Sequence, residues 1–326
     1  MYLKIISSFL ITAFLVLLIA ITAYFGGFLP SGHLRRVDRK LLNANSRNEG
    51  SRWREILESV TLSFSDQQLV TGLAILVAGY YEMLNDNLSV YHWNVVIYLA
   101  WMSSSVHIAS LTLLRDVFNK RPKLRNIRVA GMLLLLVLLT IAMWPLRRQF
   151  VPLSTPVRCL WGSRSWNARA ELEDGESTAI NPDWVLSITM LLIAYIWKLS
   201  QLFSSSRDWV RRWFVAKPQA ATERLMRRAL LSQRSKWLTR PAYFVLMYFY
   251  IIGVVHTELA ESFAASIVYL CLALPWGTVC IFYYRNHASR YEDVRAGESK
   301  LTFGQLVPLF LLLLPGLSIF GLSASE

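Results

Sequence analysis

Apolar residues along the chain fall into eight long runs separated by polar and basic segments. A transmembrane helix needs about 20 mostly apolar residues, and each run approaches or exceeds that length. The sequence therefore predicts an all-α, polytopic membrane helix bundle with about eight transmembrane helices in a single membrane domain, 1–326. The predicted spans lie near 8–28, 67–84, 92–114, 129–146, 184–203, 241–257, 263–284 and 304–322.

The first apolar run follows Lys4 and has the general form of a secretory signal peptide. It is long for the apolar part of such a peptide, and no small-x-small cleavage site closes it. We therefore interpret it as a retained N-terminal anchor followed by seven further spans. Arg35 and Arg36 are expected to hold its inner end.

Basic residues alternate between rich and poor segments. Lys and Arg number one before the first span and then 7, 0, 6, 5, 11, 0 and 4 in successive loops, where the 11 include Lys198 near the end of the fifth span. The positive-inside rule places the rich loops in the cytoplasm, and both termini are then predicted outside. Because the last seven spans would begin inside and end outside, this topology differs from that of seven-helix G-protein-coupled receptors.

Composition supports a membrane protein and argues against a nucleic-acid-binding one. The chain has 326 residues, 54% of them hydrophobic and 17% charged, with a net charge of +13. A typical soluble domain has about 25% charged residues. The basic excess is therefore assigned to cytoplasmic loops, and the expected partners are membrane lipids and a hydrophobic small molecule, with no nucleic acid.

The most basic segment, 205–240, interleaves arginines with Trp209 and Trp213. Basic and aromatic side chains on one helix are typical of a helix lying on an anionic leaflet, so the segment is predicted to be interfacial. The 34–58 segment is interpreted as a second interfacial helix. For the 205–240 segment, orientation of the chain and lipid contact are the expected role, and a pocket for a diphosphate or phosphoinositide is the alternative.

Acidic residues and histidines follow several predicted spans, in loops that lack Lys and Arg. Crowded carboxyl groups in apolar surroundings stay protonated more readily, which suits a general acid. The predicted catalytic residues are Glu82, Glu258 and His256. A solvated acidic rim and a weak metal-ligand pattern are the alternatives; no metal is predicted.

Aromatic and polar side chains also occur inside the predicted spans. Tyr98, Trp101 and Trp276 could stabilise a carbocation by cation–π attraction, and His107 follows a run of three serines. These four residues are the predicted substrate-binding set. Helix packing and hydrogen bonding between helices are the alternatives.

Two further positions carry local predictions. Asn87 begins an Asn-Leu-Ser glycosylation sequon on the predicted outer side. Asp66 is placed where a helix begins, which suits a capping residue. Phosphate loops, Asp-rich diphosphate motifs, histidine boxes and Cys-x-x-Cys pairs are missing from the sequence, so no cofactor is predicted.

Residues 65–72 (SDQQLVTG), 90–93 (VYHW) and 99–107 (LAWMSSSVH), continuing to Arg115, resemble a large group of filamentous-fungal polytopic membrane proteins. Some fungal proteins of this size and helix count are membrane-bound terpene cyclases of meroterpenoid biosynthesis, which protonate an epoxide or alkene on a prenyl chain. The resemblance carries over no catalytic residue, and the link to that activity rests on architecture.

Two functions follow as hypotheses. The first is a membrane-embedded terpene cyclase that acts on an epoxidised prenyl chain in secondary metabolism. The second is a non-enzymatic membrane protein, either a small-solute transporter or a sensor or scaffold. In both, the protein is expected to be a multi-pass protein of the endoplasmic reticulum or another endomembrane.

Overall fold

The computed structural model describes residues 2–29, 34–42, 52–85, 88–114, 118, 122–147, 153–161, 180–231 and 236–288. These ranges are almost entirely helical, which confirms the predicted fold class. The α-helices are α1 Tyr2–Phe25, α2 Arg36–Leu42, α3 Arg52–Leu84, α4 Val90–Leu113, α5 Pro122–Met143, α6 Pro182–Leu202, α7 Ser204–Val210, α8 Lys217–Leu231, α9 Lys236–Ala260 and α10 Phe263–Ala288. A π-helical turn, Arg211–Ala216, joins α7 to α8, and short 3-10 helices cover Trp144–Arg147 and Val157–Leu160.

Six of these helices, α1, α3, α4, α5, α6 and α10, are long and apolar enough to cross a membrane. Their candidate spans are Ile6–Phe25, Glu55–Leu84, Val90–Thr112, Pro122–Arg147, Pro182–Leu202 and Phe263–His287. The apolar part of α9, Tyr243–Leu259, is shorter. The predicted span 304–322 and the sequon residue Asn87 lie outside the described residues.

Helix α4 forms the centre of the bundle. Its candidate span is 94% buried, against 39–44% for the other five. Successive residues of a helix point about 100° apart, so three consecutive serines can reach three neighbouring helices. The Ser103 hydroxyl donates to the Gln68 carbonyl on α3, Ser104 bonds Tyr195 on α6 at 2.7 Å, and Ser105 accepts from Tyr269 on α10 at 3.1 Å.

The six helices alternate in direction. We name the end where α1, α4 and α6 finish the inner end, following the positive-inside prediction, and the opposite end the outer end. Helix α10 begins at the inner end, because the Phe263 ring stacks on Tyr24 with centroids 5.7 Å apart. It finishes at the outer end, where the rings of Tyr284 and Tyr98 lie 5.9 Å apart.

This direction of α10 differs from the sequence prediction. The predicted topology places the 258–262 loop outside, whereas in the structure Glu261 pairs with Arg35 at the inner end. Helices α7, α8 and α9 therefore leave and return to the same end of the bundle. The inner-end segments 29–66, 115–128 and 203–262 still carry 7, 6 and 10 basic residues, against 1 and 5 at the outer end.

Helix α3 also differs from the prediction. It starts at Arg52, so the second half of the predicted interfacial helix 34–58 belongs to the same continuous helix as the second span. The capping prediction for Asp66 is wrong, because this residue lies in the middle of α3. Its carboxylate instead forms an ion pair with Arg128 of α5, whose side chain is only 5% exposed.

Candidate functional site

The predicted catalytic carboxyl groups lie at opposite ends of the bundle. Glu82 is in the last turn of α3 at the outer end and is half-buried. Glu258 is in the last turn of α9, close to the inner-end pair of Arg35 and Glu261, and its Oε2 is buried without a hydrogen-bond partner among the described residues. The structure therefore does not join the two carboxyls in one acidic rim. His256 lies on the same turn of α9 as Glu258.

The predicted aromatic residues, in contrast, do meet. Trp101 of α4 donates from Nε1 to the Ser187 carbonyl oxygen at 3.0 Å, and Trp276 of α10 donates from Nε1 to Ser187 Oγ at 3.0 Å. Tyr98 lies close enough to Ser187 and to the Cys280 thiol to interact with both. We call these five residues the Ser187 cluster; it joins α4, α6 and α10 in the outer half of the bundle.

An acid near this cluster was not singled out in the sequence. Asp183 lies one turn before Ser187 in α6, where its backbone N–H donates to the Asn181 side chain at 3.0 Å. Its carboxylate is close enough to act electrostatically on the Cys280 thiol and the Tyr284 phenol. In the sequence Asp183 directly precedes the predicted span 184–203, and its i, i+4 spacing to Ser187 is the signal that places it beside the aromatic residues.

His107 lies in a different region, deeper toward the inner end, and is completely buried. Ser110 donates its one hydroxyl hydrogen to the His107 carbonyl at 2.7 Å, and Ser65 Oγ lies 2.7 Å from Ser110 Oγ. The Ser65 hydroxyl therefore donates its hydrogen to Ser110 Oγ. His107 Nδ1 lies 2.7 Å from Ser65 Oγ and 3.0 Å from the Ser65 carbonyl oxygen, and both of these oxygens can only accept from it, so Nδ1 carries the ring hydrogen. In the neutral ring Nε2 then carries the lone pair, and it has no partner among the described residues.

Lys198 of α6 is a buried cation that the sequence counts had assigned to a loop. Its Nζ donates to Ser266 Oγ of α10 at 2.7 Å and to Thr112 Oγ1 of α4 at 3.0 Å. Its side chain is 8% exposed. A lone lysine inside the apolar run 184–203 was the available signal, since an ionisable residue in a span is a functional candidate.

A small cavity with mostly apolar walls lies between α1, α3, α4 and α10, beside Ser110 and Ser266. Its volume is about 10 Å³, which is room for about one water molecule. Its walls include the hydroxyl-bearing residues Thr61, Ser110 and Ser266, and the Thr61 hydroxyl has no hydrogen-bond partner among the described residues. We call the residues His107, Ser65, Ser110, Ser266 and Lys198 the polar chain; the cavity is the break between its two halves.

The polar chain contains groups that can bind a proton. His107 offers a basic nitrogen, the hydroxyl groups can both accept and donate, and Lys198 offers an ammonium group. Within the described ranges no group of three His, Cys, Asp or Glu side chains is placed to hold a metal ion.

Comparison with known proteins gives two relatives, both from the fungus Elsinoe fawcettii. The chain is 33% identical to "Elsinochromes biosynthesis cluster protein HP3" over 107 residues, 33% of this chain and 42% of that protein. It is 28% identical to "Elsinochromes biosynthesis cluster protein HP2" over 180 residues, 51% of this chain and 46% of that protein. The matches thus span less than half the length of either relative. The chain matches no protein-family model and no solved structure.

Proposed function

We propose that this chain is a polytopic membrane protein of fungal secondary metabolism that moves a small solute across the membrane, with proton binding at the polar chain. The names of the two relatives support the place in secondary metabolism. The observation that carries the transport role is that two ionisable side chains, His107 and Lys198, are buried inside the spans and hydrogen-bonded to hydroxyl groups there.

The physical argument is the cost of such groups in a membrane. A buried cation or imidazole in a membrane helix is unfavourable unless it is hydrogen-bonded, and such residues commonly mark ion pathways and proton relays. Hydroxyl groups of Ser65, Ser110 and Ser266 supply those hydrogen bonds here. Packing alone could be achieved by apolar residues, so a titratable nitrogen at His107 supports a role in proton binding.

A terpene cyclase is the second candidate, and the Ser187 cluster supports it. The cluster brings Tyr98, Trp101 and Trp276 together at the end of the bundle where Asp183 lies, which provides aromatic faces and a carboxyl in one region. A cyclase needs both, one to stabilise a carbocation and the other to protonate the prenyl chain. However, Trp101 is fully buried and the indole N–H groups of both tryptophans already bind Ser187. Substrate could therefore contact Trp101 only after the surrounding helices moved.

Deletion of the gene in its own fungus distinguishes the two functions. Untargeted mass spectrometry of mycelium and medium should show that one or more metabolites are retained in the mycelium while the total amount is unchanged. Complementation with His107→Gln, which removes the basic nitrogen, should reproduce the deletion at a normal level of membrane protein. His287→Gln is the matched control, because His287 is exposed at the outer end of α10, and it should restore secretion.

The opposite pattern would contradict transport. Cyclisation conserves mass, so a cyclase deletion should replace a metabolite with an isomer of the same mass and a different retention time. That result, or full secretion by the His107→Gln strain, would overturn the proposal.

A further inference from the structure

The segment between α6 and α10 begins and ends at the inner end of the bundle. The two helices meet there through Lys198 Nζ and Ser266 Oγ, 2.7 Å apart, one near the end of α6 and the other near the start of α10. A chain that leaves and returns to one end crosses the membrane an even number of times. Helix α9 could therefore cross the membrane only if the segment 204–235, which precedes it, crossed the membrane as well.

The composition of 204–235 excludes such a crossing. This segment carries eight Lys and Arg together with Asp208 and Glu223. Charged residues at the centre of a span strongly oppose insertion into the membrane. Helices α8 and α9 therefore remain on the inner side.

Helices α8 and α9 pack against each other as an antiparallel pair, which we call the basic hairpin. Tyr250 of α9 donates its hydroxyl to Glu223 of α8 at 2.8 Å, and this hydrogen bond raises the pKa of Tyr250. At the start of α8, Lys217 Nζ lies 3.0 Å above the Trp213 ring. The hairpin contacts the bundle less, through α2 and α10.

The basic hairpin exposes both an apolar stripe and a set of cations. The stripe follows helical spacing along α9, and its members are between 45% and 63% exposed. They are Phe244, Val245, Tyr248, Phe249, Ile252, Val255 and Leu259. The exposed basic residues on α8 and the preceding turn are Arg212, Lys217, Arg224, Arg227 and Arg228.

We propose that the basic hairpin binds the anionic lipid surface of the inner leaflet, with the α9 stripe in the headgroup and acyl boundary and the α8 arginines on lipid phosphates. Two observations select lipid as the occupant. The hairpin joins the bundle where the spans reach the inner leaflet, and its cations complement a negatively charged membrane surface. An apolar face beside a basic face is the pattern of helices that lie in the membrane interface.

The test uses the full chain in lipid nanodiscs with an environment-sensitive fluorophore on Phe249→Cys. Cys159→Ser and Cys271→Ser remove the exposed native thiols, and the buried Cys280 stays. In phosphatidylcholine discs containing phosphatidylserine, emission should shift to the blue and be quenched by nitroxide-labelled lipid. Both effects should weaken in discs of phosphatidylcholine alone and at high salt, because exposed charges are screened.

Variants of α8 complete the test. Reversing Arg224, Arg227 and Arg228 to Glu should abolish the dependence on phosphatidylserine, while changing the same three residues to Lys should keep it. A chain labelled only at Cys159, which is exposed in the outer-end segment, reports effects unrelated to the hairpin. Water-like emission at position 249 in both disc types would overturn the proposal. Equally blue-shifted and equally quenched emission from position 249 in both disc types and in the Glu variant would also overturn it. That result would indicate that position 249 contacts protein or that α9 crosses the membrane.

Discussion

At the residue scale, Asp38 shows how one side chain joins three helices at the inner end. It is fully buried, and its carboxylate accepts from Tyr24 Oη at 3.1 Å and from the Arg35 backbone N–H at 2.9 Å. It also accepts from the first two N–H groups of α10, those of Phe263 and Ala264, each at 3.2 Å. The carboxylate therefore caps α10 from a distant part of the sequence.

Replacing Asp38 should destabilise the bundle more than replacing an exposed acid. Asp38→Ala leaves several buried donors without an acceptor, and each such donor costs about 1–3 kcal/mol. Thermal unfolding in detergent should show a clear loss of melting temperature, whereas Glu55→Ala, at an exposed position of α3, should change stability by no more than about 0.5 kcal/mol. Equal melting temperatures for the two variants would contradict the capping role of Asp38.

The sequence predicted the aromatic residues of the candidate site but not its buried lysine or its nearby carboxyl group. The sequence predicted Tyr98, Trp101 and Trp276 as substrate-binding residues because aromatic faces inside the spans could stabilise a carbocation, and the structure brings these three together. Lys198 and Asp183 were missed because both lie near the ends of the apolar run 184–203, where a charged side chain is expected to face the adjoining loop. Whether an end residue faces the bundle depends on the packing of neighbouring helices, which one sequence does not specify.

At the scale of elements, the packing of α4 against α10 depends on a small residue. A Cβ atom added to Gly277 would lie 2.5 Å from Met102 Cγ and 3.5 Å from Trp101. Gly277 therefore allows α10 to approach α4 closely, as small residues commonly do between membrane helices. The polar middle of α4 was predicted from its serines; the close approach of α10 required the structure.

Gly277→Ala should separate α10 from α4 and weaken the bundle. Overpacking of a core costs about 1–3 kcal/mol, and here it also strains the Trp276 bond to Ser187. Gly253→Ala on α9 is the matched control, because its added Cβ has no atom within 4 Å. Chemical unfolding in mixed micelles should show a loss for the first variant and none for the second. A stability loss in the control alone would contradict this packing.

At the scale of the whole molecule, the sequence predicted a helical membrane bundle but not its topology. Hydropathy counted α9 as a span, and that one extra crossing reversed the direction assigned to α10. The positive-inside rule could not detect the error, because the 258–262 loop contains no Lys or Arg. The decisive information is a set of contacts between distant residues, such as Tyr24 with Phe263 and Arg35 with Glu261.

The placement of the 258–262 loop is the central claim, because the direction of α10, the polar chain and the basic hairpin all depend on it. The most direct measurement is labelling of single cysteines in sealed membrane vesicles with a membrane-impermeant maleimide. Asn85→Cys is placed at the outer end and Glu261→Cys at the inner end, both in a chain whose exposed native cysteines are replaced by serine. The structure predicts that the two cysteines face opposite sides of the membrane. The cysteine on the outer surface of the vesicles should react in intact vesicles, and the cysteine that faces the vesicle interior should react only after permeabilisation. Labelling of both positions from the same side would show that α9 crosses the membrane and would contradict this account.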